Sequence, residues 1–122
     1  MSMMGVTGNS VPVDEAVALG AAAALFHSLG DASRLAILRH LALGDHRVRD
    51  LTEHLGLAQS TVSKHCLCLA GCGLIRSRTE GRATVYSLAG PEVLEVLAAA
   101  ERLLAATGGA VGLCPVPAGE VS

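Results

Sequence analysis

The sequence predicts a mainly α-helical chain with one small β-hairpin, in the order α-α-α-α-β-β-α, and three observations carry that expectation. Of 122 residues, 51% are apolar and only 2% aromatic, so the core must be aliphatic and drawn from Ala, Leu and Val. Apolar residues recur at helical spacing over most of the chain, with Gly at the breaks. After Gly73 the period changes to two, the spacing of a strand.

Residues 1–12, rich in Met, Gly, Ser and Asn and without periodicity, read as a flexible arm. Asp14 and Glu15 open a first helix, an Ala-rich run through Val17, Leu19, Leu25, Phe26 and Leu29 that stops at Gly30. Asp31 and Ser33 are candidate caps of a second helix, with Leu35, Ile37, Leu38, Leu41 and Leu43 on its apolar side and Gly44 as its break. Residues 45–49 read as a polar connection to a short third helix carrying Val48, Leu51 and Leu55 and ending at Gly56. A tight turn then leads to a fourth helix from Thr61 to about Gly71, whose approach and first turn carry Gln59, Ser60, Ser63 and Lys64. Two helices so joined make a helix-turn-helix, in which the second presents its N-terminal residues to base edges. Residues 74–78 and 84–88 are β-prone and are joined by residues 79–83, a charged tip containing Gly81, so the hairpin is a wing. Pro91 begins a last helix to about Thr107, and residues 108–122 form a flexible Gly/Pro/Val tail holding Cys114. The expected organisation is therefore an arm (1–12), a winged helix-turn-helix domain for DNA binding and dimerisation (13–107) and a tail (108–122).

Charge is uneven along the chain. The formal net charge is −2, yet residues 47–82 hold Arg47, Arg49, Lys64, Arg76, Arg78 and Arg82 against Asp50, Glu53 and Glu80. A basic middle on an acidic body fits a polyanion surface, and it equally fits ordinary solvated helix faces. No run of about 18 apolar residues is present, and the first ten residues lack the basic start and apolar run of a signal peptide. A cytoplasmic chain with no membrane partner is expected, in which four Cys stay free or bind metal instead of pairing as disulfides. No Gly-rich phosphate loop, no paired carboxylates with a facing base and no nucleophile elbow occur, so no enzyme activity is expected.

Cys66, Cys68 and Cys72 lie on and just after the fourth helix. At about 100° per residue, Cys68 and Cys72 fall roughly 40° apart and one turn apart, so their sulfurs can meet at one metal. Packing is the other reading of that pair. Cys66 lies about 200° from Cys68 and reads as a small core residue. The five His residues, 27, 40, 46, 54 and 65, show no ligand spacing with one another or with the Cys pair, and His27 and His40 read as structural.

Leu29-Gly30-Asp31-Ala32-Ser33-Arg34-Leu35-Ala36-Ile37-Leu38, Gln59-Ser60-Thr61-Val62-Ser63-Lys64-His65 and Glu80-Gly81-Arg82-Ala83-Thr84-Val85-Tyr86 resemble the three signatures of the ArsR/SmtB family, over about residues 16–106. The resemblance implies a winged-helix transcriptional repressor that binds palindromic double-stranded operator DNA as a homodimer. Gln59, Ser60, Thr61, Ser63, Lys64 and His65 would then meet the major groove, with Gln59, Ser63 and Lys64 carrying direct readout, and Arg76, Arg78 and Arg82 would reach phosphates or the minor groove. The first and last helices, whose Leu and Ala residues would otherwise be exposed, are expected to pair the subunits. Where the family carries Cys-Val-Cys at the start of the third helix, this chain has Arg47-Val48-Arg49, and its last helix offers Glu92, Glu95 and Glu101 in place of Asp/His pairs. Cys68 and Cys72 resemble the paired cysteines of the family's cadmium/lead sensors, which add a thiolate from the C-terminal tail. That resemblance implies a site of Cys68, Cys72 and Cys114 for Cd(II) or Pb(II), with Zn(II) also accommodated, whose filling releases the repressor. A thiol-oxidation or arsenite-sensing repressor on the same fold, and a dimerisation module that binds no DNA, are the other readings.

Overall fold

The computed structural model describes residues 12–108. Its elements are α1 (Pro12–Leu29), α2 (Ala32–Leu43), β1 (His46–Arg47), α3 (Val48–Leu55), α4 (Gln59–Gly71), β2 (Ile75–Glu80), β3 (Ala83–Leu88) and α5 (Pro91–Ala106). The expected order holds, with β1 added. Residues 45–49 are more than a polar connection, because His46 and Arg47 pair antiparallel with Tyr86 and Val85 and complete a sheet of order β1-β3-β2. Two residues are too few to show a period of two, so the partner strand, not the local pattern, defines β1.

Other boundaries shift for local reasons. Pro12, assigned above to the arm, starts α1, where its missing N–H costs nothing. Helix α4 begins at Gln59 instead of Thr61, since Ala58 is extended and its carbonyl accepts the Val62 N–H at 3.0 Å. The hairpin is longer than expected: Thr79 pairs with Thr84 and Glu80 with Ala83, leaving only Gly81 and Arg82 in the turn. Gly81 has φ +63°, a left-handed conformation that such short turns favour. Residues 1–11 of the arm and 109–122 of the tail, with Cys114, lie outside the described residues.

One aliphatic core joins these elements. Ile37, Leu38 and Leu41 of α2, Leu51 of α3, Val62, Cys66 and Leu69 of α4, Leu74, Ile75 and Tyr86 around the sheet, and Val93 and Leu97 of α5 are all buried in it. Each fully buried Leu, Ile or Val contributes about 1.5–3 kcal/mol relative to exposure. The end of α4 is closed by a double bond pattern: Gly73 N–H reaches the Ala70 carbonyl and Leu74 N–H the Leu69 carbonyl, both at 3.0 Å. Gly73 takes the left-handed φ of +75° that this motif needs, and Leu74 and Leu69 meet in the core beneath it. Cys72 is thereby held at a defined helix end. Helix α1 is different, because residues 14–24 are all exposed and, among residues 14–29, only Leu25, Ser28 and Leu29 turn inward. No single described helix is long and apolar enough to cross a membrane.

Candidate functional site

Helix α4 carries two chemically distinct ends. Val62, Cys66 and Leu69 anchor one side of it in the core, so the remaining sides are free to present polar groups. At the N-terminal end Gln59, Ser60 and Lys64 are exposed, and Thr61 and Ser63 are half-buried. Gln59 opens onto a groove of about 760 Å³ between α3, α4 and the hairpin turn, lined also by Arg47, Arg49 and Arg82, with Glu53 and Glu80 on the same walls. Arg47 and Arg49, counted above in the basic middle but not among the DNA-contacting residues, stand on its wall. Their place in the basic stretch was the available signal.

The structure does not bring the three wing arginines together. Arg82 stands in the turn, at the groove, while Arg76 pairs with Ser87 at the hairpin root. The strand from residue 76 to 80 covers about 13 Å. Arg76 lines a separate cleft of about 410 Å³ with Leu25, Cys72 and Glu92. Arg78 is held by Asp45 at 2.7 Å and Glu80 at 2.8 Å, and those two carboxylates raise its already high proton affinity. Its charge is thus balanced within the protein.

His65 is tied inward. Its Nδ1 lies 3.4 Å from Arg34 Nη1 and 3.8 Å from the Asp31 carboxylate. Arg34 donates from Nε to the Ser28 carbonyl at 2.6 Å and from Nη2 to the His27 carbonyl at 3.0 Å, closing the end of α1. Asp31 caps α2 by accepting the Arg34 N–H at 3.0 Å, and this bond is the main reason its carboxyl is held below its ordinary pKa.

At the C-terminal end, Cys68 and Cys72 converge on one group. Their Sγ atoms lie 3.3 Å and 2.8 Å from the Ser28 hydroxyl, which is buried at 1% exposure between α1 and α4. Cys72 Sγ also approaches the Ala24 carbonyl at 3.8 Å. Two sulfurs that share one small hydroxyl form a donor set suited to a soft cation. Ser28 was not foreseen, although a polar residue between Leu25 and Leu29 on the inward side of α1 was the trace it left. Cys66 is fully buried in the core, and desolvation pushes its thiol up to about 11, so it stays protonated.

The structure corrects the reading of the His residues. Ligand nitrogens of His40, His46 and His54 all lie within 4.8 Å of one another. The three come from α2, β1 and α3, so tertiary contact, not helical spacing, assembles them.

Residues 31–77 match the family model described as bacterial regulatory protein, arsR family. The chain is 33% identical over 98 residues to a probable mercury resistance operon repressor of Streptomyces lividans, covering 80% of this chain and 78% of that one. It is 42% identical over 77 residues to the HTH-type transcriptional regulator CmtR of Mycobacterium tuberculosis, covering 63% of this chain and 65% of that one. Among solved structures, a homodimeric winged helix-turn-helix DNA-binding domain from Mycobacterium bovis, a possible ArsR-family transcriptional regulator, superposes with a TM-score of 0.69 at 28% identity, covering 81% of this chain and 95% of that one.

Proposed function

We propose, from the premise that the chain belongs to the arsR family of bacterial regulatory proteins, that it is a metal-responsive repressor of transcription. Its relatives are transcriptional regulators, and it is not an enzyme. The repressor acts in the cytoplasm and binds operator DNA as a homodimer. A soft cation, Cd(II) or Pb(II) with Zn(II) also accommodated, is the inducing ligand. One observation carries this reading: a single helix, α4, holds exposed Gln59 and Lys64 at one end and the converging thiols of Cys68 and Cys72 at the other.

Each step rests on this chain's own residues. Gln59, Ser63 and Lys64 read base edges, Ser60 and Thr61, with the Lys64 ammonium as well, hold the backbone, and Arg82 with Arg47 and Arg49 carries the charge of the groove that receives the duplex. Cys68 and Cys72, with Cys114, would hold the cation as thiolates and so would give up their protons on binding. Ser28 then exchanges two thiol neighbours for two thiolates. Because the carbonyl of the same residue holds Arg34, and Arg34 reaches His65 on α4, a shift at Ser28 bears on the pose of the reading helix. The partner subunit covers the exposed apolar side chains of α1 and the end of α5, where Val17, Leu19, Phe26 and Leu103 are 67%, 63%, 64% and 66% exposed.

Titrating Cd(II) into the reduced full chain while recording thiolate-to-metal absorption tests the site. Cys68→Ser and Cys72→Ser should each abolish the band, and Cys114→Ser should weaken it less, since the two converging sulfurs remain and water can fill the third position. A full band in Cys72→Ser would refute the assignment. The convergence of both sulfurs also supports a thiol-oxidation sensor, whose signature is release from DNA by peroxide in metal-free buffer.

A further inference from the structure

We propose that His40, His46 and His54 form a second metal site, separate from the thiols, that takes a borderline divalent cation of the Zn(II) class. The three imidazoles project from the end of α2, from β1 and from α3, and their ligand nitrogens lie within 4.8 Å of one another. The rings of His40 and His54 stack at 4.6 Å with 14° between their planes, and His46 meets them edge-on at 6.0 Å and 5.7 Å. Ligation at about 2.0–2.1 Å needs the nitrogens closer than this bound, which side-chain rotation supplies, most freely at exposed His54.

The surroundings orient the rings for ligation. His46 Nδ1 lies 2.7 Å from the Gly44 carbonyl, an acceptor only, so Nδ1 donates its N–H there and Nε2 is the nitrogen left for a metal. An imidazole oriented through its other nitrogen by a backbone carbonyl is the usual outer-sphere arrangement of a metal-binding His. Burial, and then the charges of His54, His46 and Arg39, hold His40 below its ordinary pKa. Asp45, beside His46, is engaged by Arg78 at 2.7 Å. The donor set is then three imidazoles with a fourth position open to water, which suits Zn(II), Co(II), Ni(II) or Cu(II) better than oxygen-seeking Mg(II) or Ca(II).

The site shares no helix or strand with the Ser28 contact. Since His46 pairs with Tyr86 of β3 and His54 lies in the first helix of the helix-turn-helix, an ion here cross-links the root of the wing to α3 and the end of α2.

The test uses the full chain with Cys68, Cys72 and Cys114 all replaced by Ser, which removes the thiol site, and Co(II) as probe. A single Co(II) per chain should bind with visible ligand-field bands, without a thiolate-to-cobalt band in the near ultraviolet, and Zn(II) should displace it. Circular dichroism confirms that each variant is folded. His54→Ala, at an exposed position, should lower affinity at least about tenfold, the smaller end of what outer-sphere changes alone cause, and His46→Ala should do the same. Absence of bands in the folded triple variant, or unchanged affinity in both His variants, would overturn the site. Neither outcome bears on the thiol site.

Discussion

The two ends of α4 make an instructive contrast. Its first two turns, with Gln59, Ser60 and Lys64, face outward and are bonded to little, whereas its last turn and cap, with Cys68 and Cys72, press against a buried hydroxyl of α1. A 13-residue helix separates the ends by about 20 Å, yet they belong to one rigid element whose middle is locked by Val62, Cys66 and Leu69. Readout of an external ligand needs exposed, adaptable groups, and sensing needs groups already held in place. On the proposed reading, one short helix would satisfy both needs by dividing them along its length.

The most severe way to break this division is to remove the sensing end alone. Cys68→Ser with Cys72→Ser should leave operator affinity near the parent value while erasing metal-driven release, a loss of the whole roughly 5- to 150-fold effect that a coupling of about 1–3 kcal/mol produces. Fluorescence anisotropy with a labelled operator duplex, with and without Cd(II), reads both quantities. If the double variant still released DNA on adding Cd(II), the contrast would be misplaced.

Removing the reading end should give the complementary result. Lys64→Ala and Arg82→Ala should each weaken binding to every duplex and lower the salt slope by about one, whereas Gln59→Ala should relax base preference, at a cost of about 1–3 kcal/mol on the preferred operator alone. Metal affinity of the free protein should not change in any of the three. Metal titration beside binding at several salt concentrations distinguishes these outcomes.

The middle of the helix should report on stability instead. Cys66→Ser puts a hydroxyl at a fully buried position, so unfolding in denaturant should show a loss of about 1–3 kcal/mol with metal stoichiometry unchanged. The smallest expected effect is at the wing: Arg78→Ala should alter operator affinity less than Arg82→Ala, because Asp45 and Glu80 already balance the Arg78 charge. Equal losses for the two would show that those carboxylates are displaced on DNA.

The same contrast explains how far the chain could be read without its structure. The helices, the hairpin and the shared face of Cys68 and Cys72 follow from spacings of a few residues, where helical and strand periods act directly. Ser28 reaches the sulfurs across 40 and 44 residues, and β1 exists only because β3 offers it an edge. His40, His46 and His54 have no helical spacing and meet only when α2, β1 and α3 pack together. Leu97 shows the same limit, since the periodicity of the last helix does not tell a core residue from a subunit contact, and the fold turns it into the chain's own core at 2% exposure.

The claim that α4 couples its two ends is tested most directly by reciprocity. Cd(II) affinity of the reduced full chain should be measured alone and with saturating operator duplex, alongside operator affinity with and without Cd(II). DNA should weaken metal binding by the same factor, within about 5- to 150-fold, by which metal weakens DNA binding. A Cd(II) affinity that is identical with and without bound DNA would contradict the account.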